Sequence, residues 1–117
     1  MKFLRLKKKK EFTELLKSGK RAHARTLTLV YLPAKETKMA VCVGKKYGKS
    51  VERNRIKRLL REALRTQDEP KAPVKILLIP KVAESYAFRD FESDIKKLLK
   101  KENLVENQHR EALGAES

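Results

Sequence analysis

Residues 43–65, VGKKYGKSVERNRIKRLLREALR, carry the clearest periodic pattern of the chain. From Val51 onward, apolar residues recur at intervals of three and four, which is the spacing of one face of an α-helix. Such a face must be buried, so the stretch predicts an amphipathic helix that has Ser50 as its N-cap and continues to about Thr66. The apolar face consists of Ile56, Leu59, Leu60, Ala63 and Leu64.

The other side of this predicted helix is basic. The stretch carries nine Lys or Arg against two acids. Arg53 and Arg55 fall near the positive end of the helix macrodipole, where each cation is unfavourable by a few tenths to about 1 kcal/mol. A polyanion lying across the helix start would reverse that sign, because free N–H groups and cations would attract phosphates together. A solvated basic face is the alternative, but the density and position of the cations favour a nucleic-acid surface.

The overall charge favours the same kind of partner. The 117 residues include 30 Lys and Arg against 15 Asp and Glu, a formal net charge of +15, which suits a nucleic acid and, less well, an anionic membrane surface. No apolar run is long enough for a membrane span, and the single Cys42 cannot form an internal disulfide. We therefore expect a cytoplasmic protein with no membrane partner. A single domain is expected over residues 1–117, with its core at about 4–102 and a tail at 103–117.

The remaining segments predict an α+β fold in which helices cover a small sheet. Residues 74–79, VKILLI, predict a strand that is buried on both faces and pairs in parallel, through a crossover, with the strand before the basic helix. Strands at 27–32 and 39–43 are expected to form an antiparallel hairpin. The other predicted elements are a helix over 8–18, an edge strand within 20–25 and a last helix over 88–101.

The chemistry of a protein nuclease is not indicated. Such an enzyme needs clustered acids for Mg²⁺ or paired histidines for proton transfer, whereas the acids are scattered and His23 and His109 are far apart in sequence. The loop at 44–50, GKKYGKS, lacks the spacing of a P-loop. The sequence also lacks the helix-turn-helix, zinc-finger and zipper patterns of duplex-DNA readers. RNA or DNA binding remains, and we expect it to depend on phosphates and shape, by a chain with no catalytic, metal-binding or cofactor-binding residues of its own.

The most specific motif is RNRIKRLLRE at 53–62, preceded by Lys45-Lys46 and by GKSVE at 48–52. These residues resemble the protein component of bacterial ribonuclease P, whose signature is an RNR-x-KR-x-x-RE helix after a KK-x-G-x-AV loop. Arg5-Leu6, Phe12 and Gly19 fit that family's opening pattern, so the resemblance covers about residues 4–100. Ser50 stands where the family usually has Ala, and Leu16 stands where it often has a second aromatic residue.

This resemblance implies a fold and a function. The family has an α-β-β-β-α-β-α sandwich similar to the second domain of ribosomal protein S5, with a small mixed four-stranded sheet and a left-handed βαβ crossover. Its members are non-catalytic protein subunits that assist a catalytic RNA in removing the 5′ leader from precursor tRNA. The implied partners are that catalytic RNA and the single-stranded leader of precursor tRNA, and the Mg²⁺ that the reaction requires belongs to the RNA.

The resemblance also implies two groups of site residues. A surface for the catalytic RNA would consist of Lys45, Lys46, Lys49, Arg53, Asn54, Arg55, Lys57, Arg58, Arg61 and Arg65. A cleft for the leader, between the first helix and the sheet, would consist of Phe12, Leu16, Val30 and Lys81. Without the family, core packing is the simpler interpretation of Phe12. A ribosomal or other structural RNA-binding protein fits the charge and size equally well, but it does not explain the motif at 53–62.

Overall fold

The computed structural model describes residues 1–106, and that part of the chain contains five strands, three α-helices and a short 3-10 helix at Lys45–Tyr47. The order confirms the predicted α+β class and the implied α-β-β-β-α-β-α arrangement, to which a short first strand is added. That strand makes five where the resemblance implied four, and its two residues are too few to show any periodicity. The elements are β1 (Leu4–Arg5), α1 (Lys9–Ser18), β2 (Lys20–His23), β3 (Leu27–Pro33), β4 (Lys38–Val41), α2 (Ser50–Arg65), β5 (Val74–Pro80) and α3 (Phe88–Lys101).

The strand β5 lies at the centre of one mixed sheet with the order β1-β4-β5-β3-β2. It pairs antiparallel with β3 and parallel with β4, so the predicted parallel crossover through α2 is confirmed. The hairpin predicted between 27–32 and 39–43 is wrong, because β5 is inserted between those two strands. A strand that is apolar on both faces is fully buried only at the centre of a sheet with helices above and below. The hand of the crossover stays a prediction.

Helices cover both faces of this sheet. On one face α2 and α3 pack against each other and over the larger core, in which β3 contributes Leu27 and Leu29. On the opposite face α1 covers a smaller cluster, where its Leu15 packs with Val30 and Leu77. The residues of β3 therefore alternate between the two faces of the sheet. The larger core also contains Met39, Ile56, Leu60, Leu64, Ile76, Leu78, Phe91, Ile95 and Leu98.

The first helix approaches the sheet closely at Gly19, its C-cap residue. The φ angle of Gly19 is −68°, so glycine is needed there for space and not for backbone conformation. A Cβ at this position would lie 2.6 Å from Cγ1 of Val30 and also against the carbonyl oxygen of Leu15. Because Gly19 has no side chain, α1 can end directly on the sheet and the chain can continue at once into β2.

The packed region extends slightly beyond the predicted limit of residue 102. Asn103 has a left-handed φ of 59°, which is a common way to end a helix, here α3. Val105 is 3% exposed and forms a bridge with Pro70. The rest of the predicted tail, residues 107–117, lies outside the described residues.

Candidate nucleic-acid interface

The helix α2 turns its basic side to solvent. Ile56, Leu60, Ala63 and Leu64 are buried against the core, which confirms the predicted apolar face. Asn54, Arg55 and Arg58 are exposed, and Lys57 and Arg61 are half-buried beside them. Within residues 1–106, the only ion pair made by a cation of α2 joins Arg65 to Glu62, at 2.5 Å. The remaining cations of the helix are therefore not neutralised by acids of the described chain.

The loop before α2 is held in place by the buried side chain of Tyr47. Its side chain is buried, and its hydroxyl donates a hydrogen bond to the carbonyl oxygen of Pro80 at 2.5 Å. Burial is the main reason why the pKa of Tyr47 is raised above its ordinary value. Lys45, Lys46 and Lys49 are all exposed, and the Lys46 ammonium lies 5.4 Å from the centre of the Tyr47 ring. The three lysines are thus presented by a loop that is anchored to the end of β5.

The start of α2 is not capped by a side chain. The helix begins at Ser50, and Lys49 is its N-cap because the carbonyl oxygen of Lys49 accepts the first helical hydrogen bond, from Arg53 N–H at 2.9 Å. The prediction that Ser50 is the N-cap is therefore wrong. Gly48, whose φ of 121° is strained for other residues, turns the chain one residue earlier than the sequence pattern suggested. The Ser50 hydroxyl instead accepts a hydrogen bond from the Arg53 guanidinium at 3.2 Å.

An open groove of about 740 Å³ runs along the basic side of α2. It brings together five of the residues predicted to contact RNA, which are Asn54, Arg55, Lys57, Arg58 and Arg61. Two further residues line it, the 80% exposed Val51 and Arg5 of β1. Periodicity of the helix could not reveal Arg5, because it comes from a strand almost fifty residues earlier in the chain.

The predicted residues outside this groove lie at its margins. The half-buried Arg53 faces Ser50 at the helix start. Arg65 lies at the opposite end, where it pairs with Glu62 and its guanidinium stands 5.5 Å from the centre of the Phe3 ring. The ten predicted residues thus lie on α2 and the loop before it, and five of them share one groove.

Two guanidinium groups of this surface each have a hydrogen-bond donor without an acceptor in residues 1–106. The Nε atoms of Arg53 and Arg61 are buried and have no hydrogen-bond partner among the described residues. The pKa of Arg61 is lowered from its ordinary value, first by burial and then by the positive charges of Arg5 and Arg65. These donors and charges have no partner among residues 1–106 and are free to bind an anion.

The second predicted site, beside α1, is only partly assembled. Phe12 is half-buried over the cluster of Leu15 and Val30, and Leu16 is 37% exposed on the helix. Val30 is fully buried beneath α1, so it supports the site without an exposed surface of its own. Lys81 is exposed just after β5, where it lines a different cleft together with Arg25 and Tyr86.

The part of the sheet that α1 leaves open lies between Phe12 and Lys81. His23, Thr28 and Ile79 are paired across neighbouring strands there, and none of them is fully buried. Nδ1 of His23 and the Thr28 hydroxyl are 2.9 Å apart and share a hydrogen bond. The sequence analysis did not select these residues. The only available signal was the alternation of β3, which places Thr28 on the face opposite the larger core.

The first turn of α1 is held to the sheet by ion pairs of Glu11. Oε1 of Glu11 lies 3.1 Å from Nζ of Lys38 and 3.3 Å from Nζ of Lys75. The hydrogen bond from Lys38, aided by Lys75, lowers the pKa of Glu11 below its ordinary value. Beyond this contact the four lysines at 7–10 are exposed.

No group of three or more His, Cys, Asp or Glu side chains is placed to hold a metal ion in residues 1–106. None of the helices described there is long and apolar enough to cross a membrane.

Comparison with known proteins gives one family. The family model named Ribonuclease P matches residues 1–103. The ribonuclease P protein component of Thermus scotoductus is 38% identical over 105 residues, which are 90% of this chain and 64% of that protein. The chain thus spans somewhat less than two thirds of this Thermus relative. The protein component of Caldanaerobacter subterraneus subsp. tengcongensis is 36% identical over 114 residues, which are 93% of this chain and 97% of that protein.

Solved structures show the same fold. The ribonuclease P protein of Staphylococcus aureus superposes with a TM-score of 0.76 at 23% identity, covering 90% of this chain and all of that one. The protein of Thermotoga maritima superposes with a TM-score of 0.72 at 24% identity, covering 83% and 96% of the two chains. The family match over residues 1–103 includes both the basic surface of α2 and the open sheet face beside α1. The chain belongs to the bacterial ribonuclease P protein family.

Proposed function

We propose that this chain is the non-catalytic protein subunit of a ribonuclease P ribonucleoprotein and that it binds both the catalytic RNA and precursor tRNA. The observation that carries the proposal is the unneutralised basic surface on α2. A helix that keeps a row of cations free of acids, with two buried guanidinium Nε atoms unpaired, is suited to a partner that supplies many phosphates. RNA is such a partner, and its phosphates would replace the missing acceptors.

The surface of α2 is proposed as the docking site for the catalytic RNA. Arginine guanidinium groups can bind phosphate oxygens in pairs, whereas lysines contribute point charges. The loop lysines and the uncapped N–H groups at the start of α2 would add further contacts of the same kind. Contacts of this type fix orientation and do not read sequence. The proposed contact residues are Lys45, Lys46, Lys49, Arg53, Asn54, Arg55, Lys57, Arg58, Arg61 and Arg65.

The open sheet face beside α1 is proposed as the site for the single-stranded 5′ leader. Phe12 and Leu16 offer apolar surface on which a base can stack or pack, and Lys81 offers a charge for the backbone. Val30 supports Phe12 from below. We propose that His23, Thr28 and Ile79, which are at least partly exposed on the sheet, complete the path of the leader.

The proposed contribution to the reaction is electrostatic and positional. Placing cations near two RNA molecules lowers the repulsion between them, so the substrate binds more tightly and fewer metal ions are needed for assembly. The Mg²⁺ ions that act in cleavage are proposed to bind to the RNA, and the chain itself is proposed to hold no cofactor. Because both proposed partners are RNAs of the tRNA-processing pathway, the proposed location is the cytoplasm, and DNA and membranes are not proposed as partners.

Reconstitution tests this proposal. Cleavage of a 5′-extended precursor tRNA would be measured at low Mg²⁺ with the matching catalytic RNA alone, with this protein alone and with both. We expect cleavage only with both, at the mature 5′ end. Cleavage by the protein alone would contradict the non-catalytic role. Tight RNA binding without any gain in cleavage would indicate a structural RNA-binding protein instead.

A further inference from the structure

Two neighbouring clefts meet at Arg5, Lys57 and Arg61. The larger is the groove of about 740 Å³ on α2, and the smaller, of about 170 Å³, lies between α2 and the sheet edge. The smaller cleft is also lined by Phe12, the aromatic residue of the proposed leader site. These three cations therefore stand where the two proposed RNA sites join.

Arg5 is held in this place by the backbone of β1. Its neighbours Leu4 and Leu6 donate hydrogen bonds through their backbone N–H groups to the carbonyl oxygens of Thr37 and Met39, both at 2.9 Å. Arg5 itself is in register with Met39 at the edge of the sheet. An exposed two-residue strand thus aims an arginine at α2.

The positive charge of this cluster is not neutralised by any acid of the described residues. Neither Arg5, Lys57 nor Arg61 has an acid within ion-pair distance in the described chain. Nε of Arg61 is buried without an acceptor. Burial, and after it the positive charge of Arg5, lowers the pKa of Arg61. A planar guanidinium with an unused buried donor, facing a second guanidinium and an ammonium, has the composition of a phosphate-binding site.

We propose that Arg5, Lys57 and Arg61 together hold a single backbone phosphate of RNA at the junction of the α2 surface and the α1 cleft. This inference rests on the proposed function and adds Arg5 to it. One phosphate in this position would relieve the repulsion among three cations at once. It would also couple docking of the catalytic RNA to placement of the leader, because the same phosphate site borders both clefts.

A double-mutant cycle with Arg5→Gln and Arg61→Gln tests whether the two side chains share a ligand. Binding would be measured in two ways, to the catalytic RNA alone and, on the assembled complex, as the ratio of affinities for leader-bearing precursor and mature tRNA. We expect each single variant to weaken binding about tenfold in one of these measurements, as for one charge-assisted hydrogen bond. The double variant should lose much less affinity than the hundredfold product of the two single losses. The second change removes a contact to a phosphate that the first change has already left weakly bound.

The two measurements identify the source of the phosphate. Coupling seen with the catalytic RNA alone would assign the phosphate to that RNA, and coupling seen only in the precursor ratio would assign it to the leader. The salt dependence of binding gives an independent count of the phosphates that are contacted. The triple variant that also carries Lys57→Gln should reduce the slope of log affinity against log salt by about 0.7 to 0.9, the value for one phosphate, and not by three times as much.

Matched variants separate the failure of this inference from the failure of the proposed function. Arg55→Gln, on the same helix but outside the smaller cleft, should weaken binding of the catalytic RNA with no coupling to Arg5. Lys97→Gln, on the exposed side of α3, should have little effect. Independent losses at Arg5 and Arg61, or no loss at Arg5, would overturn the shared site while Arg55→Gln still supports docking. No loss at any of these arginines would overturn both proposals. Because Arg5 is exposed, its variants should melt near the temperature of the unmodified protein.

Discussion

Replacing Asp94 by Ala removes the polar contact that joins α3 to the turn between β2 and β3. Asp94 is only 4% exposed. Its Oδ2 accepts a hydrogen bond from the Thr26 backbone N–H at 2.9 Å and another from the Thr26 hydroxyl at 2.5 Å. In the Ala variant both donors lose a charged acceptor in a partly buried place.

The size of the loss follows from these two contacts. A hydrogen bond to a charged group contributes about 1.5 to 3 kcal/mol, and the Thr26 hydroxyl can rotate towards another acceptor whereas the backbone N–H cannot. We therefore expect the free energy of unfolding to fall by about 2 to 4 kcal/mol. For a domain of this size that corresponds to a decrease in Tm of roughly 8 to 16 °C. Asp94→Asn keeps an acceptor oxygen and should lose about half as much.

Asp90 provides a matched control one helical turn away. Its carboxylate lies 3.5 Å from Arg25 Nη2, and both side chains are largely exposed, at 49% and 76%. Such a surface pair contributes only about 0 to 1 kcal/mol, so Asp90→Ala should lower Tm by less than about 4 °C. Urea and thermal unfolding of the three variants would measure the difference. Equal losses for Asp94→Ala and Asp90→Ala would refute the assignment of Asp94 as a buried anchor.

Three other changes should separate the roles of charge and packing. Arg61→Met should weaken binding of the catalytic RNA yet raise Tm by about 1 to 3 °C, because it keeps the stem and removes a partly buried charge that other cations repel; a lower Tm would contradict that view. The pKa of Glu11 is lowered in the folded state by Lys38 and Lys75, so its ion pairs stabilise the fold above the unfolded pKa of 4.5 and this stability is lost as pH falls through the lower folded value. Glu11→Gln should therefore flatten the decrease in stability below about pH 4.5, and an unchanged acid transition would exclude Glu11 from it. Gly19→Ala should destabilise by about 1 to 3 kcal/mol in urea unfolding, because its Cβ meets backbone as well as a side chain; a neutral effect would show that α1 can shift outward.

The elements that could be predicted are those with a strong local pattern. The apolar residues of α2 and α3 recur with helical spacing, and the helix predicted over 88–101 matches α3. The buried character of β5 was also evident from its composition. The pairing of β3 and β4 was predicted wrongly because neighbours in sequence were taken as neighbours in the sheet. A hairpin would have left β5 at an edge, where one of its two apolar faces or its backbone groups would lack cover.

Residues whose role depends on distant partners could not be assigned from sequence. No local pattern marked Asp94, because its carboxylate accepts hydrogen bonds from Thr26, 68 residues away. Arg5 joins the surface of α2 only because β1 pairs with β4. Val30 was assigned to a cleft, and its lack of exposure follows from how closely Gly19 lets α1 approach. In each of these cases the role depends on a tertiary contact between residues that are distant in sequence. The periodicity of a single element cannot predict such a contact.

The balance of energies within α2 bears on how RNA would be bound. Arg53 and Arg55 at the positive end of the helix cost up to about 1 kcal/mol each. Full burial of Ile56, Leu60 and Leu64 contributes about 1.5 to 3 kcal/mol for each side chain, which exceeds that cost several-fold. The helix should therefore be formed before any RNA arrives, with its cations already in place. Binding would then require little ordering of the protein, so its free energy would come mainly from released counterions, and affinity should depend steeply on salt while the helical content of the protein stays constant.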